Sequence, residues 1–401
     1  MCARRLDRFA KPVMASADGA SSFEDRAPSW EALAAAVHDA QSEAERERES
    51  SLYGAARGSS GAPSAKASLR LFGAPPGTEP RVTLYRDSAA WCPYCQKVWM
   101  QLEEKQIPFK VEKINMRCYG DKPAWFERAT GGLLPVLELD GKLVTDSVSI
   151  MLALERAFPE QKPLLPDAAL DAPRHAAVAS LKALEQTHAS AWLGYLRSGG
   201  DGGKAKYEHC LDRMDAALGD FGGPYFLGTD LSLVDLLFVS FAERAVASLL
   251  YYKGFEVRDV TRWPRVCAWF DALETRPSYL ASVSDYYTHA MDLPPQLGGC
   301  ASNGSPAAAQ AKASIDGGDW TWPLPTNPPQ PLPHWATTPA GSLSARVEAA
   351  QQLVRNHAAV VKFATRAHGP PGAPPVMANY SASLWRVSRD WCLGFMARTM
   401  K

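Results

Sequence analysis

The sequence predicts two folded domains, an α/β domain followed by an all-helical domain, with an extension on each side. Three observations support this division. A β-prone run leads directly into a Cys-Pro-Tyr-Cys motif and a helical pattern, the apolar spacing becomes helical from about residue 167, and stretches rich in Gly, Ser, Ala and Pro flank both regions. The 401 residues also exceed what one core usually supports, which is roughly 250 to 300 residues.

Changes of composition divide the chain into five segments. The first extension has helical composition at 30–49 and turns to Gly, Ser, Ala and Pro at 54–67, which is typical of a flexible linker. A later stretch rich in Pro and Gly is expected to be extended. The predicted segments are the N-terminal extension, helical and then a flexible linker (1–68), the α/β domain (69–160), the all-helical domain (167–292), the Pro/Gly-rich linker (293–341) and a helical C-terminal extension (342–401).

The α/β domain begins with a strand, a turn and a helix. Residues Arg81–Arg86 are β-prone and run into the Trp-Cys-Pro-Tyr-Cys motif at 91–95. In the helix that follows, one apolar face carries Cys95, Val98, Trp99 and Leu102, while Gln101, Glu103, Glu104 and Lys105 lie mostly elsewhere. Cys95 is therefore expected to face the core, and Cys92 is expected to be exposed at the start of the helix.

The rest of the α/β domain adds a strand, a short helix, a hairpin and a last helix. A strand at Phe109–Ile114 implies parallel pairing through a right-handed crossover. Asp121 is expected to cap the short helix, and an Asp-Gly turn joins strands at Val136–Leu139 and Leu143–Thr145 into a hairpin. A further helix is expected from about Asp146. This order of elements predicts a thioredoxin-like domain.

The second domain has helical apolar spacing from about residue 167 to residue 291. Its most apolar window, Leu231–Leu250, nevertheless contains Asp235, Glu243 and Arg244. These charges would be costly inside a lipid bilayer. The window is therefore interpreted as a buried helix, and no membrane span is predicted.

The charge and cysteine content narrows the partners and the compartment. Lys plus Arg equals Asp plus Glu at 43 each, so no overall field attracts nucleic acid, and no nucleic-acid partner is expected. The eight cysteines are scattered rather than arranged as a disulfide framework, which favours a reducing compartment. The first twenty residues lack the continuous apolar run of a secretory signal. The protein is therefore not expected to be secreted.

The cysteine motif predicts a reactive thiol. A cysteine attacks disulfides as the thiolate, and an ordinary pKa of about 8.5 leaves it mostly protonated at neutral pH. Cys92 lies at a helix start, where free N–H groups and the helix dipole favour negative charge. Cys95 is either the resolving thiol for a mixed disulfide on Cys92 or a bystander. Because Cys95 is expected to face the core, this interpretation favours a mechanism in which Cys92 alone is indispensable.

Three segments of the α/β domain resemble the glutathione S-transferase superfamily. They are Trp91–Val98, which contains the cysteine motif, Leu133–Val136, which reads Leu-Leu-Pro-Val, and the pair Asp146-Ser147. The cysteine motif is similar to that of the glutaredoxin-like cysteine classes. The resemblance covers about residues 82–291 and implies a thioredoxin-like glutathione-binding domain followed by an all-α glutathione transferase C-terminal domain.

The resemblance also implies which residues hold glutathione. Pro135 would follow a cis peptide bond, and the backbone of Leu134 would pair with the cysteinyl part of glutathione. Asp146 and Ser147 would hold the γ-glutamyl amine and carboxylate, since an acid pairs with an amine and a helix start receives an anion. Lys122 looks like the lysine of omega-class enzymes that approaches glutathione. The predicted glutathione-binding residues are Tyr94, Lys122, Leu134, Pro135, Asp146 and Ser147.

Longer matches resemble the iota class of photosynthetic organisms. They lie at Leu69–Gly73, Ile114–Pro123 and Val354–His357, in addition to the cysteine motif. That class has extensions on both sides of its transferase core, as this chain does. The resemblance implies a photosynthetic source, so a chloroplast or cytoplasmic location is expected. Dimers are common in the superfamily, which leaves a homodimer open.

The resemblance implies thiol transfer as the reaction. Cys92 takes the position of the Tyr or Ser that ionises glutathione in the conjugating classes, and a cysteine there tends to form a mixed disulfide with glutathione. Glutathionylated or small disulfide substrates, and also dehydroascorbate, would be reduced with glutathione as cosubstrate. Two alternatives stay open: a conjugating transferase whose pocket is lined by Trp192, Tyr195 and Tyr251, and a non-catalytic glutathione-binding assembly module.

The cysteine pair has other interpretations. A zinc site would need two further ligands, and Cys118, Cys210 and His175 do not repeat the paired spacing of a zinc module. A purely structural pair fits poorly with its place between a strand and a helix. An iron-sulfur cluster bridged with glutathione stays open as an alternative. The primary prediction is therefore a redox site with no metal.

Overall fold

A computed structural model of the chain describes residues 29–41, 43–53, 57–75, 77–116, 121–316 and 345–360. The chain divides into two compact units, one formed by Met1–Arg48 together with Ala340–Lys401, and the other by Glu49–Pro339. Cys118 and the predicted C-terminal extension beyond residue 360 lie outside the described residues.

The described elements comprise a five-stranded sheet and a larger set of helices. The strands are β1 (Leu69–Arg70), β2 (Val82–Asp87), β3 (Phe109–Ile114), β4 (Val136–Leu139) and β5 (Lys142–Thr145). The helices are α1 (Trp30–Asp39), α2 (Glu43–Tyr53), α3 (Pro93–Lys105), α4 (Ala124–Thr130), α5 (Ser147–Ala157), α6 (Ala172–Arg197), α7 (Lys204–Ala217), α8 (Leu233–Lys253), α9 (Pro264–Leu273), α10 (Pro277–Leu280), α11 (Tyr286–Leu297), α12 (Pro306–Asp316) and α13 (Ala345–Arg355).

The sheet has the order β1-β3-β2-β4-β5. Strand β2 pairs with β3 in parallel, from Val82 opposite Phe109 to Asp87 opposite Ile114. Strand β4 is antiparallel to both β2 and β5. The predicted thioredoxin-like order is confirmed. The two-residue strand β1, which adds an antiparallel edge next to β3, has no counterpart in the prediction.

Helix α3 is buried on more than its predicted face. Cys95 and Val98 face the core as expected. The polar side is buried as well: Gln101 donates to the carbonyl of Met151 at 3.0 Å, and Lys105 lies 3.2 Å from the carboxylate of Glu155. The reason is that α8 and α5 both pack against α3. Apolar periodicity alone does not reveal this second set of neighbours.

The two helix starts predicted in this domain have different outcomes. Helix α5 begins as expected after Asp146, whose Oδ1 accepts the N–H of Ser149 at 2.9 Å. The predicted Asp121 cap of α4 is wrong, because the residue before the first helical position is Pro123, and no side chain caps this helix. A capping side chain must stand directly before the helix, and Asp121 lies two residues too early.

The helical domain is built around α8. Almost the whole of this helix is buried, and α3, α6, α11 and α12 pack against it. Ser232 and Asp235 form a capping box at its start, with the N–H of Ser232 donating to Oδ2 of Asp235 at 2.8 Å. Among the described residues, no helix is long and apolar enough to cross a membrane. The prediction of an all-helical second domain is confirmed.

The two stretches predicted as linkers are packed where the structure describes them, at 57–67 and at 306–316. In the N-terminal one, the guanidinium of Arg70 donates to the carbonyls of Gly58 and Gly61 and binds Glu103, which fixes the coil against α3. In the 293–341 stretch, α12 packs on α8 with Ala308 and Ile315 buried. Residues 306–316 were predicted as part of the linker because their composition does not distinguish the two structures. An Ala-rich stretch with a leading Pro is compatible with the start of a helix and also with an extended chain.

The unit formed by the two chain ends contains its own small core. Leu33 and Val37 of α1 bury their side chains with Ala350 of α13. The ring of Trp30 stacks on His357, with 4.7 Å between ring centroids. Helices α1 and α13, one from each extension, therefore pair with each other.

Candidate thiol site

Cys92 and Cys95 lie at the start of α3, directly after the turn that follows β2. Cys92 is the residue before the helix, and Pro93 occupies its first position. Only 7% of Cys92 and 2% of Cys95 are exposed. The prediction that Cys92 is exposed is therefore wrong. Arg244 of α8 reaches the turn, where its Nη2 donates to the carbonyl of Trp91 at 2.6 Å, so the helical domain covers this end of α3.

The surroundings shift the pKa values of the two thiols in opposite directions. The hydrogen bond from Cys95 lowers the pKa of Cys92, and the charge of Arg244 lowers it further, although burial and Asp87 oppose the shift. Burial raises the pKa of Cys95 well above its usual value, and Cys92 and Asp87 add to this rise. Cys92 is therefore the thiol of the pair that ionises more readily, and Cys95 is the one that holds its proton more tightly.

Asp87 is a third member of this group that the sequence analysis did not identify. It is the last residue of β2, has no exposed surface, and its carboxylate lies within 4.8 Å of both thiol sulfur atoms, which are themselves within that distance of each other. Its Oδ2 accepts the N–H of Trp91 at 2.6 Å. A tetrahedral structural zinc site needs four protein ligands, and this group contains three residues within the described part of the chain.

A buried polar network connects the thiol site to α8 and α11. Arg244 Nη1 donates to Gln96 Oε1 at 2.8 Å, and Gln96 Nε2 donates to Glu243 at 2.8 Å. Glu243 is 2.5 Å from His289 Nε2. Burial alone would raise the pKa of Glu243, but His289 and Arg244 lower it overall. The network fixes the first turn of α3, because Gln96 belongs to that turn.

A second buried pair lies on the next face of α3. Lys97 Nζ is 3.5 Å from Glu185 of α6 and 4.7 Å from the ring centre of Phe241. Burial lowers the pKa of Lys97, while Glu185 opposes this. Tyr94 is 48% exposed and packs edge-on against Phe241 at 5.4 Å. Burial raises the pKa of Tyr94, and the charge of Cys92 adds to the rise.

The loop before β4 contains two of the predicted glutathione-binding residues, Leu134 and Pro135, and a third, Lys122, is bonded to it. The Leu134-Pro135 peptide bond is cis, as the resemblance implies. Leu134 is half-buried and packs against Phe126 and Val136. Lys122 donates from Nζ to the carbonyl of Gly132, so its amine is bonded to the same loop.

The predicted pair at the start of α5 is divided between surface and interior. Asp146 is exposed and has a φ of 68°, in the left-handed region that a non-glycine residue seldom adopts. Ser147 is buried. The charge of Asp146 acts on both Tyr94 and Lys97.

The aromatic residues considered for a substrate pocket are core residues. Trp192 donates to Ser248 at 2.9 Å, Tyr195 bonds to Asp201 at 3.2 Å, and Tyr251 bonds to Asp316 at 3.0 Å. All three are almost fully buried. They pack within the helical domain, so the pocket that motivated a conjugating transferase is not formed by these side chains.

The functional residues that the sequence analysis missed are polar residues with distant partners. Asp87 gave no signal beyond an acid at the end of a β-prone run. Glu243 and Arg244 did give one, because charges in a very apolar window must be paired when the helix is buried. Their shared partner Gln96 lies about 150 residues away in the chain.

Two family models match the chain. Residues 91–157 match the model described as "Glutathione S-transferase, N-terminal domain", and residues 167–272 match "Glutathione S-transferase, C-terminal domain". The first covers the cysteine motif through α5, and the second covers α6 to α9.

Several curated proteins are similar in sequence. Glutathione S-transferase DHAR2 of Arabidopsis thaliana is 32% identical over 169 residues, which is 41% of this chain and 72% of the relative. Glutathione S-transferase DHAR3, chloroplastic, from the same plant is 30% identical and covers 47% of this chain and 67% of the relative. Glutathione S-transferase omega-1 of Rattus norvegicus is 30% identical, covering 45% of this chain and 76% of the relative.

Proposed function

Because the chain belongs to the glutathione S-transferase family, we propose that it is a glutathione-dependent thiol transferase with Cys92 as its nucleophile. The observation that carries the proposal is the pair of thiols at the start of α3. Cys92 receives a hydrogen bond from Cys95, which lowers the pKa of Cys92. A thiolate at neutral pH is what attack on a disulfide requires.

The proposed reaction starts with a glutathione mixed disulfide. The Cys92 thiolate attacks the glutathione sulfur, the substrate S–S bond breaks, and the substrate leaves as a thiol after taking up a proton. Cys92 then carries glutathione in a new disulfide bond. A molecule of reduced glutathione attacks this bond, which releases oxidised glutathione and restores the Cys92 thiolate.

Bound glutathione is proposed to contact the start of α5 and the loop before β4. The exposed carboxylate of Asp146 suits the γ-glutamyl amine, and the N–H groups at the start of α5, where Ser147 is the first residue, suit its carboxylate. The backbone of Leu134, before Pro135, would pair with the cysteinyl part. Lys122 supports the same loop through Gly132, and the exposed ring of Tyr94 in the first turn of α3 would contact the bound glutathione.

Dehydroascorbate is proposed as a second substrate. Its carbonyl carbons are electrophilic, and the Cys92 thiolate would add to one of them. Reduced glutathione would then attack the Cys92 sulfur, so that the carbon–sulfur bond breaks, ascorbate leaves with a proton, and Cys92 carries glutathione in a disulfide that a second glutathione releases. The chloroplast or cytoplasmic location and the iota class stay predictions, as does the homodimer.

Turnover of two serine variants tests the proposal. Cys92→Ser should lower reduction of a glutathionylated peptide by on the order of a thousandfold or more, because no other thiol takes its place. Cys95→Ser should stay active, since glutathione can release the mixed disulfide. The rate is measured by coupling oxidised glutathione to glutathione reductase.

Cys210→Ser is the matched control, because Cys210 is a buried free cysteine of α7 whose pKa is raised by burial to about 11. It should keep the wild-type rate. Full activity of Cys92→Ser would refute the proposed function.

A further inference from the structure

Asp87 is a buried carboxylate to which the proposed thiol transfer gives no role. One of its oxygens accepts the N–H of Trp91, but Oδ1 is buried without a hydrogen-bond partner. A buried acceptor left without a partner is destabilising, and more so when it is charged. Such groups call for an explanation in function. The carboxylate lies within 4.8 Å of the sulfur atoms of Cys92 and Cys95.

Cys95 needs help before it can attack a disulfide. Burial and its hydrogen bond to Cys92 raise the pKa of Cys95 well above the usual value, so the thiol keeps its proton at neutral pH. While Cys92 is a thiolate, Cys95 donates that proton to it in a hydrogen bond. Once Cys92 carries glutathione, its sulfur is no longer charged. Asp87 is then the remaining negatively charged group that acts on the Cys95 thiol.

We propose that Asp87 is the general base that takes the proton from Cys95 and so makes Cys95 a resolving thiol. This rests on the proposed function, because it begins from the mixed disulfide between Cys92 and glutathione. The unpartnered Oδ1 and the separation of less than 4.8 Å supply the acceptor and the geometry. The enzyme then has a second route that passes through a Cys92–Cys95 disulfide.

The resolving step balances as follows. Asp87 takes the proton from the Cys95 thiol, and the resulting thiolate attacks the sulfur of Cys92. The Cys92–glutathione bond breaks, the Cys92–Cys95 bond forms, and glutathione leaves as a thiolate that takes up a proton from Asp87 or from water. Cys95 is oxidised and the glutathione sulfur is reduced. Two molecules of reduced glutathione later reduce the internal disulfide and leave as oxidised glutathione.

The test follows the mixed disulfide directly in the full chain. Reduced protein is mixed with oxidised glutathione, excess reagent is removed, and samples are quenched in acid for mass spectrometry. In the wild type the adduct on Cys92 should decay to the internal disulfide. In Cys95→Ser it should persist. In Asp87→Asn, which keeps the size and the acceptor for Trp91, the decay should be slowed by about a hundredfold or more, the usual contribution of a general base.

A second measurement separates a catalytic from a structural role. The charge of Asp87 raises the pKa of Cys92, so its removal should make alkylation of Cys92 by iodoacetamide as fast as in the wild type or faster. Damage to the site would instead slow alkylation together with decay of the adduct. Asp215→Asn is the matched control and should leave both rates unchanged. Asp215 is a buried carboxylate of α7 that accepts the N–H of Arg265 at the start of α9.

The outcomes distinguish this proposal from the function on which it rests. Adduct decay in Asp87→Asn at the wild-type rate, or a wild type that never forms the internal disulfide, would overturn the role of Asp87 while leaving Cys92 as the nucleophile. Absence of any adduct on Cys92 in Cys95→Ser would instead refute the proposed function. If Asp87→Asn does not fold, decay of the wild-type adduct is compared in H2O and D2O. Slower decay in D2O supports proton transfer from Cys95, and equal or faster decay contradicts it.

Discussion

Arg244 brings a guanidinium into the protein interior beside the start of α3. Its Nη2 donates to the carbonyl of Trp91 at 2.6 Å, and its Nη1 donates to Gln96 Oε1 at 2.8 Å. Its charge lowers the pKa of Cys92. Arg244 therefore acts as a positioning residue, because it fixes the backbone before the nucleophile and stabilises the thiolate from the second domain.

Replacing Arg244 with Met should raise the pKa of Cys92 and slow its alkylation severalfold at neutral pH. The thiolate is present above the pKa of the folded protein and is lost as the pH falls through it. Since the Met variant has the higher pKa, it should lose the thiolate at a higher pH than the wild type. The measurement is the rate of iodoacetamide alkylation of Cys92 as a function of pH.

Arg244→Lys is the matched variant, because it keeps the charge but loses the planar fork. In this variant most of the lowering of the Cys92 pKa should be kept. Identical pH profiles for Arg244→Met and the wild type would contradict this role of Arg244. Thermal melting of both variants checks that the fold is intact, since removing one member of a buried polar network is destabilising.

At the residue scale, sequence identified the proposed nucleophile but not the groups that shift its pKa. The motif at 91–95 contains both thiols, and helix-start physics predicts the lowered pKa of Cys92. Arg244 lies 153 positions from Trp91 in the chain, and no local pattern encodes that contact. Cys92 was expected to be exposed for the same reason, because the residue that covers it comes from the other domain.

At the scale of elements, α12 shows how a glycine permits close packing. Gly254 ends α8 with a φ of 61°, and a Cβ atom there would lie 2.5 Å from the backbone N of Ala308 in α12. Asn303 Nδ2 donates to the carbonyl of Lys253 at 2.9 Å, and Tyr251 accepts a hydrogen bond from Lys312 at 2.5 Å. These contacts hold α12 against the end of α8.

Gly254→Ala should destabilise the protein by more than the left-handed backbone alone explains. Gly298→Ala is the matched control, because Gly298 has a φ of 79° but no atom within 4 Å of the added Cβ. The overlap with Ala308 should make Gly254→Ala about 1–3 kcal/mol more costly than the control, which is the usual cost of overpacking. Urea denaturation measures both values. Equal losses would show that α12 does not pack on Gly254.

The elements that sequence predicted correctly are those with strong local signals. The parallel pair β2 and β3, the hairpin of β4 and β5, and the start of α5 at Asp146 all follow from periodicity and turn residues. Helix α12 was missed because its composition resembles a linker, and it is stabilised mainly by burial of Ala308 and Ile315 on α8. Strand β1 was missed because two residues carry no periodicity.

At the scale of the whole molecule, the residues that the family models match and the residues that form the compact units have different boundaries. The family models end at residue 272, whereas α10, α11 and α12 belong to the same compact unit as the transferase core. The other unit is formed by the two ends of the chain. Its pairing of Leu33 with Ala350 joins residues more than 300 positions apart, and sequence patterns alone do not predict such a contact.

The proposed function requires the full chain to transfer glutathione through Cys92. The most direct measurement is peptide-level mass spectrometry of the Cys95→Ser protein, quenched during turnover of a glutathionylated peptide. We expect one glutathione per chain, attached to Cys92 and removed by added reduced glutathione. Turnover with no adduct on Cys92, or with the adduct on another cysteine, would contradict it.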